Sequence, residues 1–320
     1  MGPELPAALR SAIDRELEGV GRQDLAARAA ATSAAYRAGG TSAAAIRTDR
    51  DALAYALARL PATYAAVAAV LTELSRRAPD FSPRRLLDAG SGPGGGSWAA
   101  LQAWPAIDEV CWLDANPAFL DLARRLAQGA PGLRSAEPRR GDLRSAEVPK
   151  ADLVLASYVL AELAEPAGAA LRLWAACDGV LALVEPGTPA GFQRILQARE
   201  ALVGAGAAIL APCAHAADCP LTAPDWCHFS VRLPRSRDHL IAKGARVPFE
   251  DERFSYLLAA RPQVGGSAAR ARVLAPPEAA KPGTHLKLCT AGGLERRFVP
   301  RRDKPAHAAV RRIGWGSEAP

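Results

Sequence analysis

Apolar positions in the first eighty residues recur every three to four places, most clearly in the run DALAYALARLPATYAAVAAVLTELSRRAP that begins at Asp51. That spacing predicts helices, with Pro61 interrupting them. From Leu86 the pattern changes. Short apolar runs that stop at turn residues (RRLLDAG, DEVCWLDANP, ADLVLASYVL, GVLALVEPG) alternate with helical ones (GGSWAALQAW, AFLDLARRLA, GFQRILQARE). Strands alternating with helices predict βαβ units and a mostly parallel sheet covered on both faces. Past about residue 206 the rhythm is lost, leaving a Cys-containing loop, two strand-like runs (CHFSVRLP and RFSYLLAAR) and a basic tail punctuated by Pro and Gly. The expected organisation is a helical region over 1–80, an α/β domain over 81–262 with a Cys loop inserted at about 211–229, and a basic extension over 263–320.

With 320 residues, 49% of them hydrophobic, the chain can bury a large core, which excludes a disordered or collagenous protein. No run of eighteen apolar residues occurs, and the start MGPELPAALR lacks the layout of a secretory signal. These features predict a soluble protein with no membrane partner. The formal charge of +7 is unevenly spread: residues 231–320 hold 18 Lys and Arg against 8 Asp and Glu, net +10, whereas residues 1–230 are net −3. A polyanion would meet the basic end. A solvated basic surface explains the charge excess equally well.

The stretch LLDAGSGPGGGSW from Leu86 to Trp98 is an apolar strand ending in glycines before a helix. Glycines there let bare amide groups approach a ligand, so Gly90, Gly92 and Gly94 are candidates for holding a nucleotide-like cofactor. The pattern Gly90-x-Gly92-x-x-Gly95 alone also fits a dinucleotide site. The later strand ends decide between them. Asp114 closes the second strand where a carboxylate can accept from ribose hydroxyls. Asp142 follows the third strand within reach of an adenine amino group, and Ser157 and Tyr158 stand where the fourth strand leaves the sheet. Asp88 precedes the glycines, near where the charged amino-acid part of a cofactor would lie. Each carboxylate alone is commonly a turn or cap residue. In this order the set resembles a class I S-adenosylmethionine-dependent methyltransferase, a Rossmann-like α/β fold. The sulfonium is an activated donor, so alignment and exclusion of water suffice and no triad is required. No Asn-Pro-Pro-aromatic signature follows the fourth strand. The string LAPCAH around Cys213 is similar to the Pro-Cys of cytosine-C5 RNA methyltransferases, but it follows the fifth strand instead of the fourth.

Of six cysteines, Cys111 lies in a strand-like run and Cys177 beside an apolar helix, both in core positions. The other four are Cys213, Cys219 and Cys227 in PCAHAADCPLTAPDWCHFS and Cys289 in LKLCTAG. Clustered cysteines in a cytosolic protein read as metal ligands, and four thiolates suit zinc or an iron–sulfur cluster. The spacing fits no common zinc ribbon, and Cys219-Pro220 matches the Cys-Pro of ferredoxin-type ligation. His215 and His228 rank below the cysteines as ligands.

The strings RLPATYAAV, LLDAGSGPGGGSWAA, LVEPGTPAGFQRI, APCAHAADCPL, DWCHFSVRLPRSRDHLIAKG, VPFEDERFSYL and RRIGWG together resemble the methyltransferase-like family of small ribosomal subunit assembly, that of mitochondrial methyltransferase-like protein seventeen and its bacterial relatives. The resemblance runs from about residue 55 to the end. It implies a class I methyltransferase fold, a [4Fe–4S] cluster on Cys213, Cys219, Cys227 and Cys289, and association with small-subunit ribosomal RNA. The lack of an Arg- and Ser-rich, acid-poor leader points to a bacterial, cytoplasmic member. Arg232, Arg235, Arg237, Lys243 and Arg246 beside the Cys loop, and Arg296, Arg297, Arg301, Arg302, Arg311 and Arg312 near the end, are the expected phosphate contacts. Trp226 and Trp315 are candidates for stacking on bases, or for core packing. The functions in contention are an rRNA methyltransferase, a non-catalytic assembly factor of the same fold, and a small-molecule methyltransferase with structural zinc.

Overall fold

The computed structural model describes residues 2–320. Five helices come first: α1 (Ala7–Glu16), α2 (Arg22–Arg37), α3 (Ser42–Ala45), α4 (Asp49–Ala58) and α5 (Leu60–Arg77). A capping box opens α4: Thr48 Oγ1 accepts from the Asp51 amide and the Asp51 carboxylate accepts from the Thr48 amide. Pro61 sits in the first turn of α5, where its missing N–H costs nothing, and the two helices meet at a bend of 53°. Among the described residues no single helix is long and apolar enough to cross a membrane.

The alternating region follows as β1 (Arg85–Ala89), α6 (Gly95–Ala103), β2 (Glu109–Asp114), α7 (Pro117–Ala127), α8 (Pro131–Arg134), β3 (Glu137–Arg140), β4 (Ala151–Ser157), α9 (Pro166–Ala175), β5 (Cys177–Pro186), α10 (Pro189–Gly204) and β6 (Ala208–Ala211). Then come β7 (Phe229–Pro234), α11 (Arg237–Lys243) and β8 (Phe249–Ala260). The strand order is β3-β2-β1-β4-β5-β8-β6, with β7 also on β8. Strands β1 to β5 run parallel, while β8 lies antiparallel to β5, β6 and β7. The order reverses between β1 and β4, and such a switch point opens a crevice at the carboxyl ends of the strands. This is the Rossmann-like α/β sheet that the sequence predicts, mixed instead of mostly parallel because β8 joins β5, β6 and β7 antiparallel.

Alternation along the inner strands sorts two cores. Leu86, Leu153, Leu155, Val180 and Ala182 face α4 to α7, while Leu87, Val154, Ala156, Leu181 and Leu183 face α9 and α10. The N-terminal helices share the first core, with Leu9, Leu25 and Leu71 buried in it. Strand β8 spans twelve residues and borders several regions in succession. Glu250 faces α11, Glu252 meets Arg59 and Tyr158, and Ser255, Tyr256 and Leu257 reach the cysteines.

The tail is more ordered than its sequence suggests. Strands β9 (Ala271–Val273), β10 (Glu278–Ala279), β11 (Gly283–Thr290) and β12 (Gly293–Pro300) form an antiparallel sheet, closed by α12 (Lys304–Val310) over Val273, Leu286, Leu288 and Val299. Glu73 of α5 fastens this sheet to the main body. It accepts from Arg77 Nε at 2.8 Å and from Arg272 Nη2 at 2.5 Å, all three side chains being at least nine-tenths buried.

Candidate functional site

A cleft of about 1120 Å³ opens at the switch point. Gly90, Gly92, Asp114, Asp142, Ser157 and Tyr158 line its sheet side, Tyr36, Ser42 and Tyr55 its helical side, and Arg235 and Lys243 its far end. Gly90 has φ +70°, and a Cβ there would come within 2.5 Å of Val159, so only glycine fits. Gly94, at φ +82°, is the N-cap of α6 and packs behind the wall near Trp112.

The carboxylates occupy three different positions. Asp114 lies on the cleft wall, one oxygen accepting from the Gly92 amide and the other from the Asn116 amide, each at 2.8 Å. Burial pushes its pKa up to about 6 against those two hydrogen bonds. Asp142 also faces the cleft, but Arg144 grips its carboxylate through Nε at 2.9–3.0 Å and holds its pKa below the usual range. Asp88 does not line the cleft. It lies fully buried beneath the glycine loop, accepting from Ser97 N at 2.9 Å and Ser97 Oγ at 2.7 Å, while Trp112 Nε1 donates to the same hydroxyl. Its other oxygen has no partner, and burial raises its pKa to about 7. Asp88 therefore anchors α6 to β1, and it stands apart from the position expected for the cofactor's amino-acid end.

Sequence reading missed a partly buried triad on the cleft wall. Tyr158 Oη donates to Glu252 Oε1 at 2.8 Å, and Arg59 Nη2 donates to the same oxygen at 3.3 Å. Tyr158 has φ +59°, the one non-glycine in the left-handed region among the described residues. Strain of this kind persists where the surroundings over-determine it. The cleft is roofed by polar ties: Glu162 accepts from Ser42 N and Oγ, and Asn116 Nδ2 donates to Ile46 O.

The structure brings Cys213, Cys219, Cys227 and Cys289 to one small apolar cavity of about 30 Å³, lined also by Phe192, Leu221, Tyr256 and Arg199. All six cysteines are free thiols, and Cys111 and Cys177 pack against the α9–α10 core. Burial raises the Cys227 thiol well above its usual pKa, and the three neighbouring thiols push the same way. Arg199 spans the loop, donating to the His215 and Ala217 carbonyls at 2.9 and 2.6 Å. As placed, no group of three or more His, Cys, Asp or Glu side chains among the described residues holds the geometry of a metal site. The donor set is nonetheless all thiol in an apolar lining, the chemistry that thiolate-bound groups require. His215 Nε2 lies 3.6 Å from Cys289 Sγ, and His228 stacks on Trp226 and meets Trp315 edge-on, each at a centroid distance of 4.8 Å.

Several of the expected phosphate contacts are neutralised within the fold. Arg232 pairs with Asp251, Arg235 and Lys243 with Glu250, and Arg297 with Glu295. Among the described residues Arg296, Arg301, Arg302, Arg311 and Arg312 pair with no carboxylate.

The model of a family described as mitochondrial small ribosomal subunit Rsm22 matches residues 49–320. Ribosome assembly protein METTL17, mitochondrial, of Homo sapiens is 28% identical over 295 residues, spanning 85% of this chain and 63% of that protein. Rsm22-cox11 tandem protein 2, mitochondrial, of Schizosaccharomyces pombe is 31% identical over 195 residues, 54% of this chain and 26% of that protein. The chain thus spans less than two thirds of these relatives' length. Among solved structures, a putative RNA methyltransferase from Pyrococcus horikoshii is similar at TM-score 0.43 and 14% identity, covering 64% of this chain and 87% of that one. A magnesium protoporphyrin IX methyltransferase from Synechocystis is similar at TM-score 0.42 and 18% identity, covering 62% and 83%. The expectation of a bacterial, cytoplasmic protein is overturned by the mitochondrial family and relatives. With the match covering all but the first 48 residues, the chain belongs to the mitochondrial small ribosomal subunit Rsm22 family.

Proposed function

We propose that this chain serves small ribosomal subunit assembly as an S-adenosylmethionine-binding, methyltransferase-like protein that docks on ribosomal RNA. The observation that carries the cofactor reading is the cleft at the switch point, where the Gly90–Gly92 backbone and the Asp114 carboxylate share one wall. Gly90 and Gly92 would let the cofactor approach the main chain, Asp114 would accept from its ribose, and Ser157 and Tyr158 would border its reactive end. When bound, the cofactor supplies an activated methyl group. The chain's own residues orient the acceptor and exclude water, the roof from Ser42 to Tyr55 serving the second purpose. The unpaired arginines of the C-terminal sheet and tail supply RNA docking.

The four cysteines would hold a [4Fe–4S] cluster, fixing the loop from Pro212 to His228 onto β11 and coupling metal binding to folding of the C-terminal sheet. Support comes from the all-thiol donor set; zinc is the alternative that iron analysis and visible absorption of anaerobically purified protein distinguish. A second reading, an assembly factor without methyl transfer, is favoured by Asp114 and Asp142 having their carboxylates already engaged within the protein.

The test pairs calorimetric titration of S-adenosylmethionine with co-sedimentation on small ribosomal subunits. Binding in both assays is expected. Tight NAD binding without S-adenosylmethionine binding would overturn the cofactor reading, and no subunit association would overturn the ribosomal one.

A further inference from the structure

The C-terminal sheet has one face packed under α12 and another that is open at its far end. On β12 the outward positions are Leu294, Arg296 and Phe298, all exposed, and their partners on β11 are Cys289, Lys287 and His285. The Cys289 end is covered, since the cysteine loop packs there and Lys287 pairs with Asp225. The Phe298 end is uncovered. Phe298 is 42% exposed, with its ring 4.6 Å from His285 between centroids and laid across Gly283, where a Cβ would come within 2.8 Å of it. Phe298 thus rests on Gly283 and His285 and leaves the rest of its ring in solvent, an oriented surface. Arg296 lies two residues along the strand, roughly 7 Å away. Among the described residues the one carboxylate at the outward-facing strand positions is Glu278, at the β10 edge opposite His285, since Glu295 lies on the other face of β12.

We propose that this open face is a platform for single-stranded RNA, with Phe298 and His285 stacking unpaired bases and Arg296 taking the flanking phosphate. The inference rests on the RNA-docking reading above and gives it an address. Stacking surfaces on sheets suit unpaired bases, because every base has a π-face, whereas an A-form duplex exposes none to a sheet. Charge complementarity favours a polyanion: Arg296 pairs with no carboxylate among the described residues, and Arg301 and Arg302 extend the same surplus past the end of β12.

The experiment is fluorescence anisotropy on the full chain with a labelled mixed-sequence single-stranded RNA and a duplex RNA of equal length, across a salt series. Phe298→Ala is expected to weaken single-strand binding about tenfold without changing the salt slope, and to leave duplex binding unaltered. Arg296→Ala should instead reduce the slope by about 0.7. Phe298→Trp should retain affinity, and its emission should be quenched when single-stranded RNA is added. An unchanged melting temperature is expected for Arg296→Ala, whose side chain is exposed, and for the conservative Phe298→Trp, while Phe298→Ala loses the ring's cover over Gly283 and should melt slightly lower with its circular dichroism spectrum retained. Wild-type affinity in Phe298→Ala, or an equal loss on duplex and single strand, overturns the platform and leaves RNA docking in place. No binding of either RNA by the wild type overturns both.

Discussion

Removing the charge of Glu73 is expected to be strongly destabilising. Its carboxylate receives Arg77 and Arg272, which are 8% and 1% exposed, and it also pairs with the more exposed Arg76. In Glu73→Gln the shape is kept, but the buried Arg272 guanidinium loses its counter-charge and Arg77 is left with the more exposed Glu318 alone. Hydrogen bonds to charged groups are worth about 1.5–3 kcal/mol each, and stranding a buried ion costs about 3–5 kcal/mol. Two such bonds come to about 3–6 kcal/mol, so the routes overlap at about 3–5 kcal/mol. Glu318→Gln is the built-in comparison: it removes a partner from the same Arg77 at 2.7 Å, but Glu318 is 36% exposed, so about 0–1 kcal/mol is expected. Urea denaturation followed by circular dichroism measures both. A loss below about 1 kcal/mol for Glu73→Gln would refute the reasoning, because the network would then be as well solvated as a surface pair.

Other outcomes follow from the cleft and the thiols. Asp114→Ala should weaken S-adenosylmethionine by about 1.5–3 kcal/mol in calorimetry, the range for a hydrogen bond to a charged acceptor. The raised pKa values of Asp88, about 7, and Asp114, about 6, mean that the folded state holds protons the unfolded chain has released. Their contribution is full below about pH 4 and is lost as pH rises to about 7, so Asp88→Asn should flatten the fall in stability seen by denaturation between those limits. Cys219→Ser and Cys289→Ser should lower bound metal and destabilise the C-terminal sheet, while Cys111→Ser and Cys177→Ser should leave metal content unchanged by elemental analysis; equal loading in all four would show that other residues ligate.

What the sequence made legible was whatever local pattern carries. Strands buried on both faces read as unbroken apolar runs, so β1, β2, β4 and β5 and the glycine loop between β1 and α6 stood out. The convergence of Cys289 with three cysteines 62 to 76 positions earlier was legible from composition, since thiols rarely cluster without purpose. Pairings between distant residues leave no such trace: Glu73 meets Arg272 and Arg59 meets Glu252 across 199 and 193 positions. Asp88 looked like a cofactor ligand because its place in the motif is right, yet the pleat turns it under the loop instead of into the cleft. The C-terminal sheet was passed over because its strands are short and rich in charge. Its hairpin carried a signal all the same, two alternating runs joined by Ala291 and Gly292. Net charge also overstated the free basic surface, since Arg232, Arg235, Lys243 and Arg297 are paired within the fold.

The twelve residues of β8 work as a ruler. From Glu250 to Leu257 the strand advances roughly 24 Å, and along that length it delivers one side chain to α11, another to the Arg59–Tyr158 pair at the cleft, and three more to the thiol cavity. A single inserted or deleted residue within it would reverse the facing of every position beyond the change, detaching the cleft from the thiols at one stroke. Length variation among chains of this fold should therefore collect before Phe249 and after Ala260, and a tag or fluorophore is safely placed only outside those bounds.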